Sequence, residues 1–177
     1  MSVAETWGTE TTERRLPFPC DRYMDPPDAV YFRGITVQAS APAIFRWLCQ
    51  MRVAPYSYDW IDNGGRPSPR ALTPGLDALA VGQSMMRIFT LVDFGPGRHV
   101  TLRIKHGTGA FRLFGDLAVT YLIVPDDATS CRLLVKMVVR YPRGVRGALM
   151  RWALPWGDLL MMRRQLLNFK TLAEAMS

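Results

Sequence analysis

The sequence predicts an α+β domain in which a curved antiparallel β-sheet wraps around one long C-terminal α-helix. Three observations lead to this prediction. A β-rich segment at residues 30–37 precedes two short helical patterns, and residues 84–141 contain four strand patterns separated by turn signals. Residues 145–176 then change to a helical period.

Length and composition agree with one core and exclude several classes of protein. The chain has 177 residues, of which 49% are hydrophobic and 21% charged, so bulk disorder is excluded. The longest stretch without a charged residue, 34–45, is too short to cross a bilayer. The three cysteines are odd in number and far apart, which argues against a disulfide framework or a cysteine zinc site and favours a reducing cytoplasm.

The first 28 residues differ in composition from the rest of the chain. They are rich in threonine, glutamate and proline, and they have neither the apolar run of a signal peptide nor the acid-poor character of a transit peptide. We therefore expect a flexible N-terminal arm over residues 1–28 and a single domain over residues 29–177.

Turn and capping signals divide the first half of the domain. A first strand is predicted over Val30–Val37, and Ser40 can cap a helix over residues 41–49 because Pro42 falls in its first turn. Pro55 opens a second short helix, and the glycines and prolines of residues 63–77 require a loop.

Four strand patterns follow, and turn residues join them as antiparallel hairpins. The last shows the clearest alternation, with Leu133 and Met137 on one face and Arg132 and Lys136 on the other, which predicts one buried and one solvated face. A short additional strand is possible at Phe111–Phe114. The four predicted strands are Ser84–Phe94, His99–His106, Leu117–Val124 and Cys131–Tyr141.

The C-terminal segment has apolar residues spaced three or four apart from Val145 to Met176, which predicts one long helix. Pro155 should kink or restart this helix, because proline removes an interior hydrogen bond. Further leucines and methionines lie outside the main apolar face, so the helix is expected to be covered on more than one side.

Two segments, FRWLCQMRVAPYSYDWIDNGGRPSPR at residues 45–70 and WGDLLMMRRQLLNFKTLAE at residues 156–174, carry a family resemblance. With the order of elements, they resemble a bacterial branch of the START/Bet v1-like superfamily, also called SRPBCC or polyketide cyclase/dehydrase-like proteins. The resemblance covers about residues 30–175. It implies a helix-grip fold whose sheet and C-terminal helix enclose a ligand cavity.

Several kinds of site find no support in the sequence. The two histidines, His99 and His106, are seven apart on one predicted strand, which places them on opposite faces, so we expect no metal site. No phosphate-binding loop, nucleophile elbow or dinucleotide fingerprint occurs, and we expect no cofactor. The basic residues adjoin no nucleic-acid reading motif, so nucleic acid is not an expected partner.

The segment YSYDWIDN at residues 56–63 is chemically the most unusual. The rings of Tyr56, Tyr58 and Trp60 could stack on an apolar ligand, since the resemblance places this region over the cavity entrance. Asp59 and Asp62 would share a helix face, where one could acquire a raised pKa for proton transfer. Equally, the two acids could simply cap a helix that aromatic packing locks to the sheet.

Arg33 alternates with Tyr31, Ile35 and Val37, so it either faces the interior or belongs to a solvated face. If it is buried, the guanidinium needs a carboxylate partner, which we expect to be Asp59, Asp62 or the anionic head of a ligand. This hypothesis predicts a ligand that is apolar with an acidic or polar end.

The leading prediction is non-covalent binding of a hydrophobic small molecule, such as a lipid, isoprenoid or polyketide-like compound, for transport, sensing or protection. The ten methionines suit a pocket of adaptable shape. The expected cavity lining, besides Arg33 and the three aromatic residues above, is Leu102, Ile104, Tyr121, Leu133, Met137, Trp156, Met162 and Leu166.

Two alternatives remain open at this point. One is an enzyme resembling polyketide cyclases or aromatases, in which Asp59, Tyr56 or Arg33 polarises a carbonyl or moves a proton. The other is membrane-surface contact, because the net charge of +7 arises from residues 130–177, where nine basic residues face only two acids near tryptophans. For Leu159, Met162, Leu166 and Phe169, core packing is the preferred interpretation over lipid contact.

Overall fold

The computed structural model describes residues 2–176 and contains one sheet of six antiparallel strands and five α-helices. The strands are β1 (Ala29–Val37), β2 (Ser84–Met85), β3 (Phe89–Gly95), β4 (His99–Ile104), β5 (Asp116–Pro125) and β6 (Cys131–Arg140). The helices are α1 (Val3–Thr6), α2 (Ala41–Cys49), α3 (Asp59–Asp62), α4 (Gly109–Phe114) and α5 (Val145–Glu174). Three short 3₁₀ segments lie at Glu13–Arg15, Pro19–Tyr23 and Gln50–Arg52.

The strand order is β1-β6-β5-β4-β3-β2, so the first strand pairs with the last. β1 and β6 are paired over their length, from Ala29 opposite Val139 to Val37 opposite Cys131. The arrangement confirms the predicted curved antiparallel sheet around a C-terminal helix.

Two details of the predicted strands differ from the structure. The single strand predicted over Ser84–Phe94 is a hairpin of β2 and β3, because Met86 and Arg87 adopt positive φ angles and reverse the chain. The segment Phe111–Phe114, predicted as a possible strand, belongs to helix α4. The Thr108 hydroxyl accepts a hydrogen bond from the Phe111 amide and so starts that helix.

The convex face of the sheet is covered by the N-terminal segment, which we define as residues 2–28. A flexible arm was predicted for this segment, whereas in the structure its residues Phe18, Cys20 and Met24 are buried. The Cys20 amide donates to the Thr120 hydroxyl at 2.9 Å. The physical reason is that the convex face is itself apolar; these residues pack on Phe32, Ala118, Leu134 and Val138.

This arrangement also explains why β5 is apolar on both faces. Leu117, Val119, Tyr121 and Ile123 face α5, whereas the alternate residues face the N-terminal segment. The convex face of β6, expected to be solvated, is likewise partly covered, since Leu134 and Val138 lie beneath that segment.

Helix α5 lies across the concave face and is helical through Pro155, so it does not restart there. Its C-terminal half fills the interior: Leu166, Phe169 and Ala173 are fully buried and belong to the same core as Ile44 and Trp47 of α2. The N-terminal half lies over the other end of the sheet, where the interior is not filled.

Candidate ligand-binding cavity

A cavity of about 550 Å³ lies between the concave face of the sheet and the N-terminal half of α5. Residues from β5, β6, α3 and α4 complete its walls. Most of its lining is apolar, and flexible thioethers from three parts of the chain contribute to it. These methionines are Met86, Met137, Met150, Met161 and Met162.

The cavity opens between α3 and α5. Ile61 and Gly157 line it and are also exposed to solvent, so they mark its mouth. A Cβ atom at Gly157 would meet no atom within 4 Å apart from its chain neighbours and the adjacent helix backbone, so space lies beside the helix there.

A run of hydrogen bonds crosses the cavity wall, and its polar groups are paired with one another within the protein. The Tyr121 hydroxyl donates to the Gln165 side-chain oxygen at 2.7 Å, and the Gln165 amide donates to the Pro55 carbonyl at 2.6 Å. Burial raises the pKa of Tyr121. These groups fix the position of α5 against β5 and leave little hydrogen-bonding capacity for a ligand.

A buried ion pair lies at the edge of the cavity. Arg33 is 1% exposed and donates to the Asp158 carboxylate at 2.6 Å, and the same guanidinium donates to the Phe32 and Pro155 carbonyls. Burial raises the pKa of Asp158, and the charge and hydrogen bond of Arg33 oppose that shift. Asp158, but not Arg33, lines the cavity.

Asp62 is the second carboxylate on the cavity wall. One of its oxygens accepts a hydrogen bond from the Ser57 hydroxyl at 2.6 Å, and its other oxygen, Oδ1, is buried without a hydrogen-bond partner. Burial raises the pKa of Asp62, opposed by the Ser57 hydrogen bond. Asp62 Oδ1 is therefore the acceptor that this wall leaves unsatisfied.

The predicted lining residues fall into three groups. Tyr121, Met137 and Met162 line the cavity. Trp156 does not line it and is 57% exposed on the outside of α5. The sequence did not indicate this position, because the helix is apolar on two sides and the sequence does not distinguish the inner side from the outer. A last set faces the concave side but is packed into the core next to the cavity: Leu102, Ile104, Leu133 and Leu166.

The three aromatic residues predicted to contact the ligand also differ in their surroundings. Tyr56 is buried between Trp47 and Phe169, with ring centroids 5.9 and 5.3 Å away, and burial raises its pKa to about 12. Trp60 is 74% exposed, and the Tyr58 ring lies beneath the guanidinium of Arg164. None of the three lines the main cavity.

Asp59 and Arg33, the charged candidates for catalysis, are occupied by structural contacts. The Asp59 carboxylate accepts from the Ser68 amide at 2.8 Å and from its hydroxyl at 2.5 Å. The partner of Arg33 is Asp158 rather than Asp59, Asp62 or a ligand head. The signal that could have identified Asp158 is its isolation, since residues 130–173 contain no other acid.

Among residues 2–176, no group of three or more histidine, cysteine, aspartate or glutamate side chains is arranged to hold a metal ion. Of the helices formed by those residues, none has the length and apolar character needed to traverse a bilayer.

Solved structures with the same architecture are numerous, although their sequences are distant. A START superfamily protein from Mycobacterium smegmatis is 16% identical, with a TM-score of 0.51, over 84% of this chain and 99% of that one. A protein from Mesorhizobium loti is 14% identical, with a TM-score of 0.51, over 84% and 98%. The di-domain ARO/CYC protein BexL from the BE-7585A biosynthetic pathway is 14% identical, with a TM-score of 0.50, over 82% and 46%.

No protein-family model matches the sequence, and no curated protein matches it either. The structural matches instead identify the architecture, since they extend over more than four fifths of this chain. The chain therefore has the helix-grip fold of the START/Bet v1-like, or SRPBCC, proteins.

Proposed function

We propose that the protein binds a hydrophobic small molecule in the cavity between the sheet and α5, for transport, sensing or protection of that molecule. The observation that carries this proposal is a largely apolar cavity of about 550 Å³, a size in the usual range for small-molecule sites. Lipid, isoprenoid or polyketide-like compounds fit this chemistry. Binding is driven by removal of apolar ligand surface from water.

The polar end of the ligand is proposed to be a hydrogen-bond donor, a hydroxyl or an amine, rather than an acid. The two charged groups on the wall are the carboxylates of Asp62 and Asp158, and the guanidinium of Arg33 is already paired behind Asp158. A donor placed at the mouth would satisfy Asp62 Oδ1, whereas an anionic head would meet the carboxylate of Asp62 and no unpaired cation on the cavity wall.

The cavity is tested with the fluorescent probe N-phenyl-1-naphthylamine and a substitution that fills it. Leu117 projects from β5 into the cavity, so Leu117→Trp should weaken probe binding by about tenfold or more. Leu113→Trp is the matched control, since Leu113 is exposed on α4 and does not line the cavity. Equal probe binding by both variants and the wild type would refute a cavity site.

The polar end is tested by displacing the probe with dodecylamine, dodecanol and dodecanoate. We expect affinity to fall in that order. Asp62→Asn should weaken dodecylamine by about tenfold to a hundredfold, the value of a charge-assisted hydrogen bond. Asp59→Asn is the control, because Asp59 lies on the same helix but is held by Ser68. Preferred binding of dodecanoate would contradict the proposed acceptor role.

This binding should also depend on pH. Dodecylamine is bound by the ionised form of Asp62, so its affinity is expected to fall as the pH falls through the pKa of that group. Burial raises the pKa of Asp62, so the loss should begin at a higher pH than for an exposed aspartate. Affinities measured between pH 7 and pH 4 should show this loss in the wild type and lack it in Asp62→Asn.

An enzymatic role resembling that of polyketide cyclases remains a second proposal, and Asp62 is the observation that favours it. It is a titratable group on the cavity wall whose burial shifts its pKa towards neutrality, which a general acid or base requires. Native mass spectrometry of protein purified without detergent would identify a copurified compound. Conversion of that compound by the wild type but not by Asp62→Asn would support catalysis, and its unchanged recovery would support carriage.

A further inference from the structure

The outer side of α5 carries a continuous apolar surface that nothing in the described chain covers. Its five residues are spaced three or four apart, so they lie along one face of the helix, and each is between 54% and 87% exposed. We call these residues the outer stripe: Val145, Leu149, Trp152, Trp156 and Leu160.

The outer stripe is distinct from the face of α5 that lines the cavity. The cavity is lined by Met150, Leu154 and Met161, among others, while none of the five stripe residues contributes to it. Single exposed apolar residues are ordinary, but a run of five along about four helical turns is not. Core packing, the interpretation preferred from sequence for Met162, Leu166 and Phe169, holds for those residues, whereas the five residues of the outer stripe are exposed.

The mouth of the cavity adds apolar surface beside α5. Trp60 and Ile61 of α3 are 74% and 51% exposed, and Ile61 also lines the cavity between α3 and α5. The mouth is thus bordered by exposed aromatic and aliphatic side chains on α3 and by the exposed edge of α5 at Gly157.

The exposed charges of the chain segment that carries the outer stripe have one sign. Between residues 143 and 164 the only acid is Asp158, which is buried against Arg33 and contributes no negative charge to the surface. Five exposed arginines occupy the same segment: Arg143, Arg146, Arg151, Arg163 and Arg164.

We propose that the outer stripe and these arginines dock onto the surface of an anionic lipid bilayer. Tryptophan rings prefer the interface between headgroups and acyl chains, and arginines beside them attract anionic headgroups. The helix would lie in the plane of the membrane with the apolar stripe immersed. If the cavity binds a hydrophobic ligand as proposed above, its mouth would then open near the bilayer.

A second copy of the chain fits this surface less well. A symmetric dimer would place the same patch of both subunits face to face, so the arginines of one subunit would oppose those of the other. No exposed carboxylate between residues 143 and 164 is available to compensate for that repulsion. Anionic lipid supplies the compensating charge without this conflict.

The experiment is cosedimentation with vesicles of phosphatidylcholine alone and of phosphatidylcholine mixed with phosphatidylglycerol. We expect binding to the mixed vesicles that weakens by about tenfold or more on phosphatidylcholine alone or at high salt. A blue shift of tryptophan emission should accompany binding, because Trp152 and Trp156 would leave water.

Two pairs of variants separate the apolar from the electrostatic contribution. Trp152→Ser with Trp156→Ser, and Arg143→Gln with Arg146→Gln, should each reduce binding to mixed vesicles by about tenfold or more. Their matched controls are Val81→Ser and Arg98→Gln, which remove an exposed apolar and an exposed basic residue outside α5. All of these positions are at the surface, so the variants should fold.

Absence of binding to mixed vesicles, or equal loss in the controls and the α5 variants, would overturn the proposal. Light scattering in the absence of lipid tests self-association. A dimeric wild type and a monomeric double tryptophan variant would assign the stripe to self-association instead. Uptake of N-phenyl-1-naphthylamine is measured on the same variants. Because the stripe lies outside the cavity, retained uptake with lost vesicle binding distinguishes failure of docking from failure of ligand binding.

Discussion

The two halves of α5 both carry apolar side chains but have very different surroundings. In residues 162–174, Leu166, Phe169 and Ala173 are fully buried, and Phe169 packs on Tyr56 in the core that also contains Trp47. In residues 145–161, the inner face borders a cavity and the outer face is exposed. Apolar periodicity alone thus identifies a helix but does not tell whether its apolar side chains contact protein, a ligand or lipid.

The largest effect is expected from truncation within the filled half. Phe169→Ala removes a fully buried ring and should lower the free energy of unfolding by about 4 kcal/mol. Met150→Ala, on the cavity wall, should cost less than about 1 kcal/mol, since little packing surrounds the lost atoms. Urea unfolding of both variants measures the difference, and similar losses would mean that the cavity half is as well packed.

The ion pair between Arg33 and Asp158 joins β1 to the cavity half of α5, and its removal should have the next largest effect. Arg33→Met leaves a buried carboxylate without a partner and should cost about 3 kcal/mol at neutral pH. Without Arg33, burial raises the pKa of Asp158 unopposed, so the folded state binds a proton more tightly than the unfolded state. Stability relative to the wild type should therefore recover as the pH falls.

The double variant Arg33→Met with Asp158→Leu provides the control for this prediction. It removes both charges, so it should be more stable than Arg33→Met at neutral pH and lack the recovery in acid. Thermal unfolding at a series of pH values tests both statements. A loss in Arg33→Met that does not change with pH would exclude an uncompensated Asp158 charge as its cause.

Two glycines of α5 give smaller effects of opposite sign. A Cβ atom at Gly147 would lie 1.9 Å from the Pro142 carbonyl oxygen, so Gly147→Ala should destabilise the protein by about 2 kcal/mol. A Cβ atom at Gly157 would make no such contact within 4 Å, so Gly157→Ala should stabilise the helix by about 0.5–1 kcal/mol. Chemical denaturation distinguishes the two signs, and destabilisation by Gly157→Ala would indicate a more crowded cavity mouth.

The fold was predictable because its strands and long helix carry strong periodic signals. The alternation of β6 placed Leu133 and Met137 on the concave face, and the helical spacing identified α5 as one element. Helix α4 was not predictable in the same way, since a segment as short as Phe111–Phe114 has no resolvable period and its helix depends on the Thr108 cap.

The site was less predictable, because whether a residue lines the cavity depends on whether another element packs against its side chain. Tyr121 and Met162 face the cavity, whereas Leu102 and Leu166 point to the same side of the sheet and are packed. That distinction depends on where α2 ends and α5 crosses the sheet, which no local pattern contains. The packed N-terminal segment was missed for a related reason: its few apolar residues are dispersed among polar ones, and the apolar convex face that holds them is formed by distant strands.

The pairing of β1 with β6 has a consequence for how the protein is made on the ribosome. The first strand cannot find its partner until residue 140 has left the exit tunnel, and the N-terminal segment must wait for the same strands. Such large sequence separations slow folding and leave apolar surface exposed until the distant strands pair. The nascent chain is therefore expected to need chaperone protection until β6 has emerged from the ribosome.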